Sequence, residues 1–238
     1  MRSGSYYDLI DSLKSCDVRE QGHEFLRVVA DHYGLAHVAY LGVNIPTLTD
    51  KIAFGVTTYD HRWVSRYIAE DYIRIDPVVR QGMSQLLPLD WSTLHGKNRK
   101  TDQFFIEAGE FGVGLQGLSF PIRGAHGETA LFSVNTNDQQ PVWEKRKARI
   151  MRDMQIIAYQ FHTLVLESEG VRFEDVALTA REKECLKWAA DGKTSWETGE
   201  ILGIRSTTVE FYIEQARVKL NATNKVQAVA KALRVNAI

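Results

Sequence analysis

Four residues in one stretch, Trp63, Tyr67, Asp76 and Trp91, carry side-chain donors and acceptors that could pair with a small polar molecule. An ionised Asp only accepts hydrogen bonds, an indole N–H only donates, and a phenol does either. Each also has a structural reading. Asp76-Pro77 is a helix N-cap followed by Pro at the first helical position, and large amphipathic aromatics have the core as their default home. Gly117 marks either a close approach of strand and ligand or a bulge. Transforming chemistry has no comparable signal. The seven His are scattered without an HxxxD, GxSxG or HxH pattern, so a nucleophile with its base, or a metal-ligand set, is missing. Cys16 and Cys185 are far apart and lack partners at metal spacing, which argues against a disulfide framework or a zinc site.

The second cluster runs from Leu178 to Asn221. Thr179-Ala-Arg-Glu182 and Thr194-Ser-Trp-Glu197 both read as capping boxes. They predict helices over Ala180–Asp191 and Ser195–Leu202, with Gly192 and Gly203 as left-handed stops. A third helix begins near Ser206 or Thr207, one of which is expected to cap it, and continues to Leu220. Helix, short turn containing Gly, helix is the unit that places a second helix in the DNA major groove. On that helix Val209, Ile213, Ala216 and Leu220 form an inward stripe. The opposite face is Thr207, Glu210, Phe211, Glu214, Gln215 and Val218, with Arg217 and Lys219 flanking it as phosphate contacts. Glu210 has two readings: the end of a third capping box begun by Thr207, or, with Glu214, an acceptor for cytosine N4 while Phe211 touches a thymine methyl.

The elements that must position these residues divide the chain. Residues 178–238 hold ten Lys/Arg and seven Asp/Glu, net +3, against nineteen and twenty-three, net −4, for residues 1–177. The C-terminal part is therefore the electrostatic partner for phosphate, though modestly so. In the N-terminal part, helices are expected at Tyr6–Lys14, Arg19–Tyr33, His61–Glu70, Pro77–Gln85, Asp102–Glu110 and Trp143–Glu167. Strands are expected at Ala36–Val43, Lys51–Val56, Gly117–Ile122 and Thr129–Asn135, the first pair joined by a turn around Pro46 and the second by a hairpin turn at Arg123–Gly127. The fold class is α+β: helices around a central antiparallel sheet, an α/β/α sandwich, then an all-α helix-turn-helix domain. The expected domains are 1–168 and 178–238, with a polar linker at 169–177. No apolar run approaches membrane length and no charged-then-apolar leader opens the chain, so a cytoplasmic protein without membrane contact is expected.

The motif of Leu178, Thr179, Arg181, Glu182, Leu186, Trp188, Gly192, Lys193, Thr194, Trp196, Leu202 and Gly203, followed by Thr208-Val209 and Lys219-Leu220, resembles the DNA-binding domain of the LuxR family of quorum-sensing regulators. Arg205, Glu210 and Tyr212 depart from the family pattern, which bears on the operator rather than the fold. Trp63, Tyr67, Asp76, Pro77, Trp91 and Gly117 resemble that family's autoinducer-binding domain. The resemblance implies an acyl-homoserine lactone as signal and no cofactor. Trp63 would donate to the lactone carbonyl, Asp76 accept from the amide N–H, and Tyr59 donate to the amide carbonyl. Ser133 would support the amide end, and Tyr67 and Trp91 would wall the head group. For the acyl tail the candidates are Ala39, Leu41, Val43, Phe54, Val79, Phe104, Phe105, Phe111, Leu115, Leu118 and Phe132, a set whose aromatic share favours a short, branched or aromatic group. Thr194, Thr207, Thr208, Glu210, Phe211, Glu214, Gln215, Arg217 and Lys219 would face double-stranded DNA. A homodimer along the Trp143–Glu167 helix, a palindromic promoter site, activation of transcription and contact with RNA polymerase complete what the resemblance implies. The alternatives are a ligand-independent regulator with a degenerate pocket, a phosphorylation-driven response regulator, whose receiver acids residues 1–177 do not show, and a lactone-processing enzyme.

Overall fold

The computed structural model describes residues 6–14, 16–43, 45, 53–124, 127–171 and 176–238. The chain divides into two compact units, Met1–Arg123 with Glu128–Arg172, and Gly124–Gly127 with Phe173–Ile238. The turns expected around Pro46 and at Ala125-His126, and much of the linker expected at 169–177, lie outside the described residues.

The first unit is built on a five-stranded antiparallel sheet in the order β2-β1-β5-β4-β3. Its strands are β1 (His37–Val43), β2 (Ala53–Thr57), β3 (Leu89–Asp90), β4 (Gln116–Arg123) and β5 (Thr129–Thr136). Helices α1 (Tyr6–Lys14), α2 (Val18–Tyr33) and α6 (Gln140–Ser168) belong to one face. The other carries α3 (His61–Ala69), α4 (Pro77–Gly82) and α5 (Arg99–Glu110). This is the expected sandwich. Four corrections are small: α4 stops at Gly82 rather than Gln85, α5 starts at Arg99, α6 starts at Gln140, and the short edge strand β3 was not anticipated.

Strand alternation gives the two faces different contents, because successive side chains on a strand point to opposite sides. Val38, Tyr40, Leu118, Phe120, Phe132 and Val134 pack with Leu26, Trp143 and Phe161 in one core. Leu131 joins Trp63, Val78, Trp91, Phe104 and Phe105 in another. Register then aligns the polar positions, since Ser133 pairs with Ala39 on β1 and with Ser119 on β4. Ala39, Ser119 and Ser133 thus share one row across three strands.

The second unit holds α7 (Ala180–Ala190), α8 (Ser195–Leu202), α9 (Ser206–Lys219) and α10 (Lys225–Arg234). Both capping boxes are present. Glu182 N–H donates to Thr179 at 3.3 Å and Thr179 N–H to Glu182 at 2.8 Å; the Thr194–Glu197 pair matches at 3.2 and 2.8 Å. Gly203 closes α8 at φ 67°, a left-handed conformation that favours Gly. The stripe Val209, Ile213, Ala216 and Leu220 is buried as expected. A fourth helix, α10, goes beyond the three anticipated, and its Ala228 and Ala232 pack with Leu186, Ala216 and Leu220. No helix among the described residues is long and apolar enough to cross a membrane.

Candidate functional site: an apolar cavity and an exposed helix face

The second core of the sheet is not filled. A cavity of about 440 Å³ lies between the sheet and helices α3–α5, within the size range of small-molecule sites. Tyr59, Trp63, Tyr67, Asp76, Trp91 and Ser133 all line it. Ala39, Leu41, Val78, Val79, Phe104, Phe105 and Leu131 supply much of its apolar wall.

Asp76 is 8% exposed and serves two partners within the protein. One carboxylate oxygen caps α4, accepting from Val78 N–H at 2.7 Å and Val79 N–H at 3.3 Å. The other accepts from the Tyr67 hydroxyl at 2.8 Å. Burial pushes the Asp76 carboxyl up to about 6, although those three donors favour its charged form and pull the other way. Burial and the neighbouring Asp76 charge hold both the Tyr67 and Tyr59 hydroxyls far above the ordinary phenol range. Both are therefore neutral phenols at any physiological pH.

Trp63, 3% exposed, sits on α3 among Tyr67, Tyr72, Phe104 and Phe111, with ring centroids 5.5–5.9 Å away. Its indole N–H has no hydrogen-bond partner among the described residues. Trp91 differs: its N–H donates to Ser119 at 2.9 Å, and the Ser119 hydroxyl lies 2.7 Å from that of Ser133. Gly117 explains how the indole fits, because a Cβ there would stand 2.7 Å from Trp91 and 2.6 Å from the Val134 carbonyl. The Gly is needed for a protein side chain rather than for a ligand backbone or a bulge. Tyr59 is held by Asn135, whose amide donates to the phenol oxygen at 3.1 Å. Ser119 and Asn135 were missed by the sequence reading. Period-2 counting from Gly117 and from Ser133 would have put them on the cavity face.

Of the expected tail positions, Ala39, Leu41, Val79, Phe104 and Phe105 line the cavity. Leu118 and Phe132 face the opposite core by strand alternation, and Phe54 packs against that same core. Leu115 is exposed, while Phe111 packs behind Trp63. Val43 is half-buried near the end of β1 and does not line the cavity. Leu131 and Val78 take their place in the wall.

In the second unit Thr207, Glu210, Phe211, Glu214, Gln215 and Val218 are exposed on one face of α9, as the periodicity requires, and Thr208 is half-buried beside them. The helix starts at Ser206, one of the two expected positions, but its cap differs from expectation. Arg205 is the N-cap residue, without a side-chain cap bond, so neither Ser206 nor Thr207 caps α9 and no third capping box ties down Glu210. Both flanking cations are engaged. Arg217 makes a two-pronged pair with Glu214 at 2.6 and 2.8 Å and also donates to the Ala222 carbonyl. Lys219 lies 2.8 Å from both oxygens of Glu182, a carboxylate that burial pushes up but Lys219 and Thr179 N–H bring below its ordinary value. Thr194 is exposed at the start of α8, its hydroxyl shared with Glu197.

A ligand-sized cavity in one unit and a helix-turn-helix in the other define a ligand-responsive transcription regulator. Residues 19–165 match the autoinducer binding domain, and residues 176–232 match the bacterial regulatory proteins of the luxR family. The transcriptional activator protein RaiR of Rhizobium etli is 37% identical over 174 residues, 72% of each chain. AnoR of Acinetobacter nosocomialis, also a transcriptional activator protein, is 29% identical over 231 residues, 95% of each. The crystal structure of Escherichia coli SdiA shares the fold, with a TM-score of 0.66 at 22% identity over 97% of this chain and 96% of that one. The chain belongs to the LuxR family of quorum-sensing transcription regulators, a family of regulators rather than enzymes.

Proposed function

We propose that the cavity takes an acyl-homoserine lactone and that the liganded protein binds a palindromic promoter site as a homodimer, activating transcription in the cytoplasm through contact with RNA polymerase. The observation that carries this reading is the convergence of Tyr59, Trp63, Asp76 and Ser133 on one apolar cavity. Such a lactone offers a ring carbonyl, an amide N–H, an amide carbonyl and an apolar tail. Each polar group loses water on burial and costs roughly 1–3 kcal/mol if left unpaired. Trp63, with its uncommitted N–H, donates to the lactone carbonyl. Asp76 accepts from the amide N–H, Tyr59 donates to the amide carbonyl, and Ser133 supports that end. Tyr67 orients Asp76, and Trp91 closes the head-group side. The tail lies along Ala39, Leu41, Val79, Phe104, Phe105 and Leu131. An open cavity of this size speaks against a degenerate pocket.

Residues 1–168 then form the signal-binding and dimerisation domain, 169–177 the linker, and 178–238 the DNA-binding domain. Thr194, Thr207, Thr208, Glu210, Phe211, Gln215 and Glu214 with its partner Arg217 face the operator, and Lys219 acts mainly by tying α9 to α7. Thermal unfolding with and without a panel of acyl-homoserine lactones tests the ligand, wild type beside Asp76→Asn. A shift of several degrees with one lactone, lost in the variant, is the expected result. No shift with any lactone, in folded protein that binds DNA, would refute the assignment.

A further inference from the structure

We infer that Asn135 is a positioning residue that fixes Tyr59 as a hydrogen-bond donor toward the cavity, so that the site selects a ligand presenting an acceptor there. The inference deepens the lactone reading by assigning the polarity of one of its contacts. Asn135 lies on β5, is fully buried and does not line the cavity. Its amide has one orientation that satisfies both neighbours. Gly114 N–H approaches the side chain at 3.1 Å and can only donate, so the oxygen must face it. The NH2 group is then turned to the Tyr59 oxygen at 3.1 Å. Gly114 can come this close to β5 because it has no side chain, since a Cβ there would collide with the Thr136 carbonyl.

A phenol that accepts on its oxygen must send its own proton elsewhere. Among the described residues, the other groups around Tyr59 leave that proton unclaimed. His37 meets the ring, not the oxygen, at 5.1 Å between centroids, and its two nitrogens face the Thr58 and Gly112 carbonyls. Asp76 already accepts from Tyr67, Val78 and Val79 and makes no hydrogen bond with Tyr59. The backbone N–H of Tyr59, bound to Thr57 Oγ1 at 3.0 Å, anchors the residue at its other end. The hydroxyl proton therefore points into the cavity that Tyr59 lines. Without Asn135 the phenol could rotate its proton and accept from a ligand as readily as donate, and the contact would lose its preference for a carbonyl.

The test is a double-mutant cycle read by calorimetric titration with N-octanoyl-homoserine lactone: wild type, Tyr59→Phe, Asn135→Leu and the double variant. Tyr59→Phe should weaken binding roughly tenfold, the loss of about one buried hydrogen bond, and Asn135→Leu by a smaller factor, because the freed phenol can still donate once its proton turns to the ligand. The double variant should bind no worse than Tyr59→Phe alone; independent, multiplying losses would overturn the inference. If Asn135→Leu does not fold, Asn135→Asp keeps the Gly114 contact and is titrated from acid to alkaline pH, with and without Tyr59→Phe. A protonated carboxyl donates to Tyr59 as the amide does, whereas an ionised one accepts the phenol's hydrogen bond and turns it away from the cavity. Binding should then fall as the new carboxyl ionises only where Tyr59 is present, and parallel pH profiles would overturn the proposal. Wild type that binds no lactone would sink the lactone reading alone. In that case the Asn135 side-chain amide signals in the NMR spectrum decide: they move in Tyr59→Phe if the pairing holds, and unmoved signals overturn it.

Discussion

At the scale of single residues, Asp76 shows how the structural and functional readings of one side chain are compatible. Its two oxygens divide the work, one on the α4 N–H groups and one on Tyr67 beside the cavity. Keeping the carboxylate there has a cost. A group whose folded pKa is raised from 3.8 to about 6 binds its proton more tightly in the folded state. Stability then falls as pH rises from about 4 to about 6 and does not recover above that, by roughly 2–3 kcal/mol at most. Asn caps a helix about as well as Asp and carries no charge to desolvate. Ligand-free Asp76→Asn should therefore melt a few degrees above wild type at pH 7.5, with the difference closing near pH 4. A variant less stable than wild type at neutral pH would show that the carboxylate contributes more through its bonds than burial takes away.

At the scale of elements, α9 illustrates a boundary that local chemistry left open. Ser206 and Thr207 both resemble caps, and choosing between neighbouring starts involves only about 1 kcal/mol. Burial of Val209, Ile213 and Ala216 against Cys185 and Leu186 is worth more and holds the helix in place, and it starts at Ser206 behind an Arg205 N-cap that makes no side-chain cap bond. The consequence is functional: Glu210 is exposed and has no capping duty, while Glu214 is paired with Arg217. Glu210 is thus the acid on α9 free to accept from a base edge. Glu210→Asn should change the preferred base at one operator position by about 1–3 kcal/mol in a binding-site selection assay. Unchanged preference would assign the carboxylate to a solvated surface.

At the scale of the whole molecule, each unit has its own apolar clusters. A ligand that binds only the folded first unit stabilises that unit by about 2.7 kcal/mol at a hundred times Kd. Scanning calorimetry should show two transitions, of which saturating lactone raises only the one belonging to the first unit. A single transition, raised as a whole by lactone, would mean that the units unfold as one. The two capping boxes, the α9 stripe, the antiparallel hairpin strands and the six cavity residues were legible in the sequence, because each signal lies within a few residues or within a family motif. Which face of the sheet holds Leu118 and Phe132, the Trp91–Ser119–Ser133 chain, the Asn135 clamp on Tyr59 and the pairing of Lys219 with Glu182 were decided only by tertiary structure. These partners are brought together by strand register and helix packing, whose energies come from contacts between residues distant in the chain.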